Sequence, residues 1–230
     1  MSTRRQRNRA ELTIAIIKAA SARLHRQGPD ALTIRGIADD LEVSPGALYR
    51  YYDGLDSIIT ALITNGYLDL AESIQRHATQ PDAPLDRINA AAHAYRGWAL
   101  DNPHHFQLLF GAPLPDYVAP IDGPTSTAMN QLAIAFLRPL VEAWASGAIT
   151  IDPAFHLDAD GNHQLVTKIV ELSGLDAPAS IGPWATAIWS YVHGLVALEL
   201  NGQFRWLYDD DASAQFDASV DGLIALISAT

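Results

Sequence analysis

None of the 230 residues is cysteine. That absence excludes disulfides, thiolate metal sites and cysteine nucleophiles together, and it fits a reducing cytoplasm. An apolar signal core is also missing, since the chain opens on MSTRRQRNRAE, which is basic and polar. The stretch closest to a membrane span, PWATAIWSYVHGLVALEL at 183–200, carries Thr186, Ser190, Tyr191 and His193 along its length. It reads as a helix buried in protein, not in lipid. No internal repeat and no low-complexity segment is found. With 49% hydrophobic residues the chain can bury a sizeable core.

Positive charge is scarce overall, with 15 Lys and Arg against 26 Asp and Glu and a net charge of −11. What there is lies at one end. Residues 1–52 hold nine basic residues and five acids, a net +4, so the remaining six basic residues and 21 acids leave −15 for the rest. Such asymmetry suggests a small polyanion-facing module on a larger acidic body.

The hydrophobic pattern is helical almost throughout. Leu12, Ile16, Ala20 and Leu24 recur every four residues until Gly28-Pro29 stops the helix. Ile34, Ile37, Ala38 and Leu41 mark a short second helix with Thr33 as its N-cap. Ser44-Pro45 then supplies a capping residue before a proline at the first helical position. Helical patterns resume from Leu55 to about Ala78 and at 84–101, 104–110, 126–146, 163–173, 183–201 and 212–228. GAITID at 147–152 is a weak candidate strand, and the expected class is all-α.

Within TIRGIADDLEVSPGALYRYY (33–52) the two short helices form a helix-turn-helix pattern. Val43 fills the turn and Leu48 anchors the second helix. Ser44, Pro45, Gly46 and Ala47 are small or compact, so that helix can enter a major groove end-on. Tyr49, Arg50 and Tyr51 offer hydroxyl and guanidinium donors to the phosphate backbone. Arg4, Arg5, Arg7 and Arg9 read as a mobile basic arm suited to the adjacent minor groove. Two amphipathic helices joined by a turn can also arise without any DNA partner, and the arm and the charge asymmetry argue against that alternative.

LTIRGIADDLEVSPGALYRYY closely resembles the DNA-binding segment of TetR-family transcriptional regulators over about residues 10–60. The resemblance implies an all-α homodimer. A three-helix helix-turn-helix head, residues 1–54, would bind double-stranded operator DNA. A larger α-helical body, residues 55–230, would bind a small effector and dimerise. It also implies phosphate contact at Thr33 and Arg35, and groove or phosphate contact at Ser44, Gly46, Ala47, Tyr49 and Tyr51. Three positions depart from the family pattern: Glu42 where glycine is usual in the turn, Gly54 in place of a capping Ser or Asn, and Leu55 in place of a phosphate-binding Lys.

In the body, RGWALDNPHHFQLLFG (96–111) and WSYVHGLVALELNG (189–202) resemble the subgroup named for a Trp-His-Gly theme. Trp189 and His193 are four residues apart and share a helical face. They either line a cavity or pack the core, with His193 making one satisfying hydrogen bond. Tyr95, Trp98, His105, Phe106 and Trp144 complete the candidate ligand set, and a lipophilic or aromatic effector would suit such a lining. Helices 183–201 and 212–228 are expected to pair with a second copy, through small residues such as Ala185, Ala218, Gly222 and Ala225.

No cofactor or metal is expected. DADGN at 158–162 fails as a calcium loop, because His163 and Ile169 stand where glycine and an acid are required. His104-His105 and His156 with His163 lack metal-ligand spacing. The DDD at 209–211 is expected to be a solvated loop. The expectation is therefore a cytoplasmic, ligand-responsive dimeric repressor without enzymatic activity or membrane attachment, acting on a palindromic operator. A DNA-binding dimer without effector and an α-helical enzyme are the alternatives.

Overall fold

A computed structural model describes residues 4–151, 171–178, 180–205 and 212–228. It is helical, as the periodicity requires. The helices are α1 (Arg4–Gln27), α2 (Ile34–Asp40), α3 (Pro45–Leu48), α4 (Leu55–Ala78), α5 (Pro84–Asp101), α6 (Pro103–Phe110), α7 (Pro124–Ala145), α8 (Ile181–Leu200) and α9 (Ser213–Ile227), with a 3₁₀ turn at Pro29–Ala31. Among the described residues no strand forms. The GAITID segment contributes only an isolated antiparallel bridge between Ile149 and Ser228. The helix expected at 163–173 lies outside the described residues except for its last three positions, which are helical. His156, His163, the DADGN segment and the DDD segment also lie outside them.

The chain packs as two compact units, residues 1–68 with 102–129 and residues 69–101 with 130–230. In the first, Ile16, Ala20 and Leu24 of α1 are fully buried against Ile37 and Ala38 of α2 and Leu48 of α3. Ile58, Ile59, Leu62 and Ile63 of α4 complete that core, so the packing unit runs past residue 54. A three-helix head of this size buries little apolar surface by itself, and the first turns of α4 supply what it lacks.

In the second unit Ile88 of α5, Leu137, Leu140 and Val141 of α7, and Ile181, Trp184 and Ile188 of α8 form a separate core, which Ile227 of α9 joins. Arg96 ties three of these helices together. Its guanidinium donates to both carboxylate oxygens of Glu199, at 2.8 and 2.6 Å, and to Ser213 Oγ at 3.2 Å.

Candidate nucleic-acid interface and effector residues

The helix-turn-helix is built from local signals. Thr33 is extended and its Oγ1 accepts the Gly36 N–H at 3.0 Å, so it caps α2 as expected. At the other end the Val43 N–H returns to the Ala38 carbonyl at 3.0 Å and the Glu42 N–H to Asp39 at 3.1 Å. Those two bonds define a Schellman turn, whose residue after the cap must be left-handed. That residue is Glu42, with φ of 56°. A non-glycine residue held left-handed in this turn costs on the order of 1 kcal/mol. Ser44 is extended ahead of Pro45, although its side chain makes no capping bond, and α3 is only one turn long.

A clamp that sequence patterning missed holds α2 on α1. Arg23 donates to both oxygens of Asp40, at 2.8 and 3.1 Å, and to the Gly36 carbonyl at 2.7 Å. A Cβ on Gly36 would stand 2.6 Å from that guanidinium, so a larger residue there would have to push the clamp aside. The pairing also neutralises Asp40 near the reading helix. Arg23 and Asp40 are 17 positions apart, beyond the reach of any periodicity argument.

The exposed side of this head carries most of the expected DNA contacts. Thr33, Arg35, Ser44, Pro45, Gly46 and Arg50 are exposed, and Tyr49 is 57% exposed. A Cβ on Gly46 would meet no protein atom within 4 Å, so packing does not demand the glycine. Ala47 is half-buried, and Tyr51 packs partly against the head core, which leaves it less available than Tyr49. Arg7 and Arg9 are exposed. The expected mobile arm is instead helical, because α1 begins at Arg4.

The candidate effector residues do not form one cluster. Tyr95 of α5 and His193 of α8 meet at 2.6 Å, hydroxyl to Nδ1. Trp189 tilts against His193 with ring centroids 5.0 Å apart. Phe136 of α7, absent from the expected set, lies edge-on to Tyr95 at 5.2 Å. Burial holds His193 below the ordinary histidine pKa and favours the neutral ring. Trp98 donates its indole N–H to Asp69 Oδ2 at 2.7 Å. Together with His93 and Arg76 it borders an open cleft of about 590 Å³ between α4 and α5. Trp144 packs against the core formed by Ile88, Leu140 and Trp184. His105 and Phe106 belong to the first unit, where His105 Nε2 meets Ser21 Oγ at 3.0 Å and Phe106 packs on Phe110.

A capped helix, a left-handed turn and a proline-started second helix with exposed Tyr and Arg define a helix-turn-helix regulator. Comparison with known proteins agrees. Residues 16–62 match the family described as bacterial regulatory proteins, tetR family, and residues 88–223 match the tetracyclin repressor-like C-terminal domain. HTH-type transcriptional regulator Rv1816 of Mycobacterium tuberculosis is 30% identical over 98% of this chain and 96% of its own length. The crystal structure of regulatory protein SCO4313 is 33% identical with a TM-score of 0.76, covering 97% of this chain and 100% of that one. A protein of unknown function from Rhodococcus sp. RHA1 shares the fold at a TM-score of 0.71 and 20% identity, over 95% and 96% of the two chains. The chain belongs to the TetR family of transcriptional regulators. Among the described residues no helix is long and apolar enough to cross a membrane.

Proposed function

We propose that the chain is a cytoplasmic, dimeric repressor that binds a palindromic operator and is released by a small apolar or aromatic effector. The observation that carries the DNA half is the Schellman-turned pair α2–α3, which presents Tyr49, Arg50 and an unhindered Gly46 to solvent on the one basic segment of an acidic chain. The acidic remainder repels a polyanion, so productive encounters are steered to the head. Residues 1–54 serve as the reader and 55–230 as the effector-binding and dimerisation part.

For the body, support comes from a polar pair among aromatic rings. Tyr95 and His193 are bonded to each other and flanked by Trp189 and Phe136, and Trp189, His193 and Gly194 follow the Trp-His-Gly theme. An effector that fits one arrangement of these helices better than the other shifts the population toward it. The helix placed to carry that shift is α4, whose Ile58 and Leu62 lie in the head core and whose Asp69 holds Trp98.

The test is selection from random duplex DNA with the full chain at stated salt. Enrichment of a palindrome with half-sites about 10 bp apart, centre to centre, is expected. Tyr49→Ala should weaken binding to that duplex at least roughly tenfold, on the scale of 1–3 kcal/mol for a good contact, while leaving the thermal midpoint in place. If the wild-type chain enriches no duplex, the DNA half of the proposal fails.

A further inference from the structure

We infer that the cleft between α4 and α5 is a binding site for a small aryl carboxylate, held by Arg76 and His77 at one end and lying along Gly97 toward Trp98. The site is separate from the Tyr95–His193 pair, and it does not rest on the effector reading given above for that pair.

The cleft, about 590 Å³, lies wholly within the second unit. Its floor is made of small residues. Ala90, Ala94 and Gly97 line it, and a Cβ on Gly97 would meet no protein atom within 4 Å. Glycine inside a helix weakens it relative to alanine, so neither packing nor helix stability accounts for Gly97. Room for a flat ligand does. Tyr95 is not among the lining residues, and its contacts go to Phe136 and His193 instead.

The charge of the ligand follows from which cation stands here. Residues 53–230 hold six basic residues against 21 acids. Arg87 and Arg96 each close on a carboxylate, at 2.9 and 2.6 Å. Arg76 meets Glu72 at 3.6 Å, and both side chains are more than half exposed. An exposed pair of that kind contributes little, so the guanidinium is available to a ligand. Its planar fork matches a carboxylate. His77 stands beside it in the last turn of α4. The His77 Nδ1–H donates to the Ser73 carbonyl at 2.8 Å, which leaves Nε2 for the ligand. His93 borders the cleft from α5, its ring edge-on to Phe216 and its Nε2 3.8 Å from Asp217.

Geometry sets the length. Trp98 bonds Asp69 at 2.7 Å and Arg87 bonds the Pro81 carbonyl at 2.9 Å, so α4 and α5 run antiparallel. Arg76 follows Asp69 by about two turns, roughly 10 Å along α4 at about 1.5 Å per residue. A carboxylate at Arg76 with an aryl group reaching Trp98 is therefore the size of cinnamate. Asp101 also lines the cleft, but beyond Trp98 and away from Arg76, where it does not oppose the anion.

The indole N–H resonances of the full-length chain report on this site, and Trp98→Phe identifies which one belongs to Trp98. Cinnamate titrated at constant pH and ionic strength should shift that resonance saturably. Cinnamyl alcohol, its uncharged analogue, should bind at least roughly tenfold more weakly, and so should cinnamate to Arg76→Gln, the scale of one lost charge-assisted hydrogen bond. Gly97→Met should fill the floor and abolish the response. Its thermal midpoint should stay at or above that of wild type, because methionine is the better helix former.

No shift of the Trp98 resonance at millimolar cinnamate would overturn the inference. Equal affinity for cinnamyl alcohol, or for cinnamate in Arg76→Gln, would overturn it too, since Arg76 would then not hold the carboxylate. A response that survives Gly97→Met and is lost in Tyr95→Phe would place the ligand at the Tyr95–His193 pair. That outcome would sink the cleft site and leave the effector reading standing.

Discussion

Tyr95 and His193 stand 98 positions apart in sequence and meet at 2.6 Å across α5 and α8, hydroxyl oxygen to Nδ1. The contact joins a buried tyrosine to a half-buried histidine through their polar atoms, and the buried hydroxyl requires such a partner. It also ties a titrating group to the packing of the body.

Burial places the folded-state pKa of His193 below its ordinary value of 6.5. The unfolded chain therefore takes up this proton first as pH falls. The corresponding stability is present in full above about pH 6.5 and is lost as pH falls through the window between that value and the lower folded one. A His193→Leu variant should show a flatter thermal midpoint over about pH 5 to 6.5 than wild type, whose other histidines remain as background. Tyr95→Phe should cost about 1 kcal/mol at about pH 7.5, the usual net value of one buried hydrogen bond. Parallel pH profiles in wild type and His193→Leu would show that His193 is not the group responsible.

Glu42→Gly should stabilise the head. A left-handed L-residue costs about 1–2 kcal/mol, part of which is offset by the backbone freedom that glycine loses on folding, leaving a gain of about 0.5–1 kcal/mol. The substitution also removes a negative charge between α2 and α3, so affinity for duplex DNA should rise several-fold, most clearly at low salt. Thermal melts and anisotropy titrations measure the two effects separately. A lower midpoint would mean that the Glu42 side chain contributes more than its backbone conformation costs.

The head was legible in the sequence because its signals are local. Thr33, the Gly28-Pro29 stop, Ser44-Pro45 and the spacing of Ile34, Ile37, Ala38 and Leu41 each act within a turn or two, and the structure places α2 and α3 accordingly. The N-terminal arginines looked like an arm because a run of basic residues is a poor helix start, yet α1 reaches Arg4. The effector set was less legible. Choosing aromatics by helical face gathered His105 and Phe106 with Tyr95 and Trp98, whereas folding places α6 with the head and bonds His105 to Ser21. Partners such as Asp69 for Trp98, Asp40 for Arg23 and Glu199 for Arg96 come from separate helices, and no spacing rule reaches them.

The Arg96–Glu199 pair is nearly closed to solvent, with side-chain exposures of 13% and 14%. Arg96 also lies 5.2 Å from the Phe216 ring centroid. Arg96→Met would strand the Glu199 charge and should destabilise the chain by about 3 kcal/mol, while Arg96→Met/Glu199→Leu should recover most of that stability. Chemical denaturation of both variants and of Glu199→Leu closes a double-mutant cycle. A coupling energy near zero would show that the two side chains act independently.

The proposed dimerisation can be tested apart from folding at α9. Leu226 is 85% exposed, and Ala218, Gly222 and Ala225 are exposed on the same helix, positions that fall along one side at helical spacing. Tyr191 and Leu198 of α8 are each 44% exposed. Among the described residues nothing packs on these positions so as to require small or apolar side chains, and a helix of a second copy, as proposed above, would. Leu226→Glu adds a charge that burial in a symmetric interface would meet twice, once from each copy. The expected result is a monomer by light scattering at micromolar concentration, with helical content unchanged by circular dichroism. Operator affinity should fall by orders of magnitude, because two linked heads gain from effective concentration and one head does not. A variant that remains dimeric would move the interface away from this end of α9.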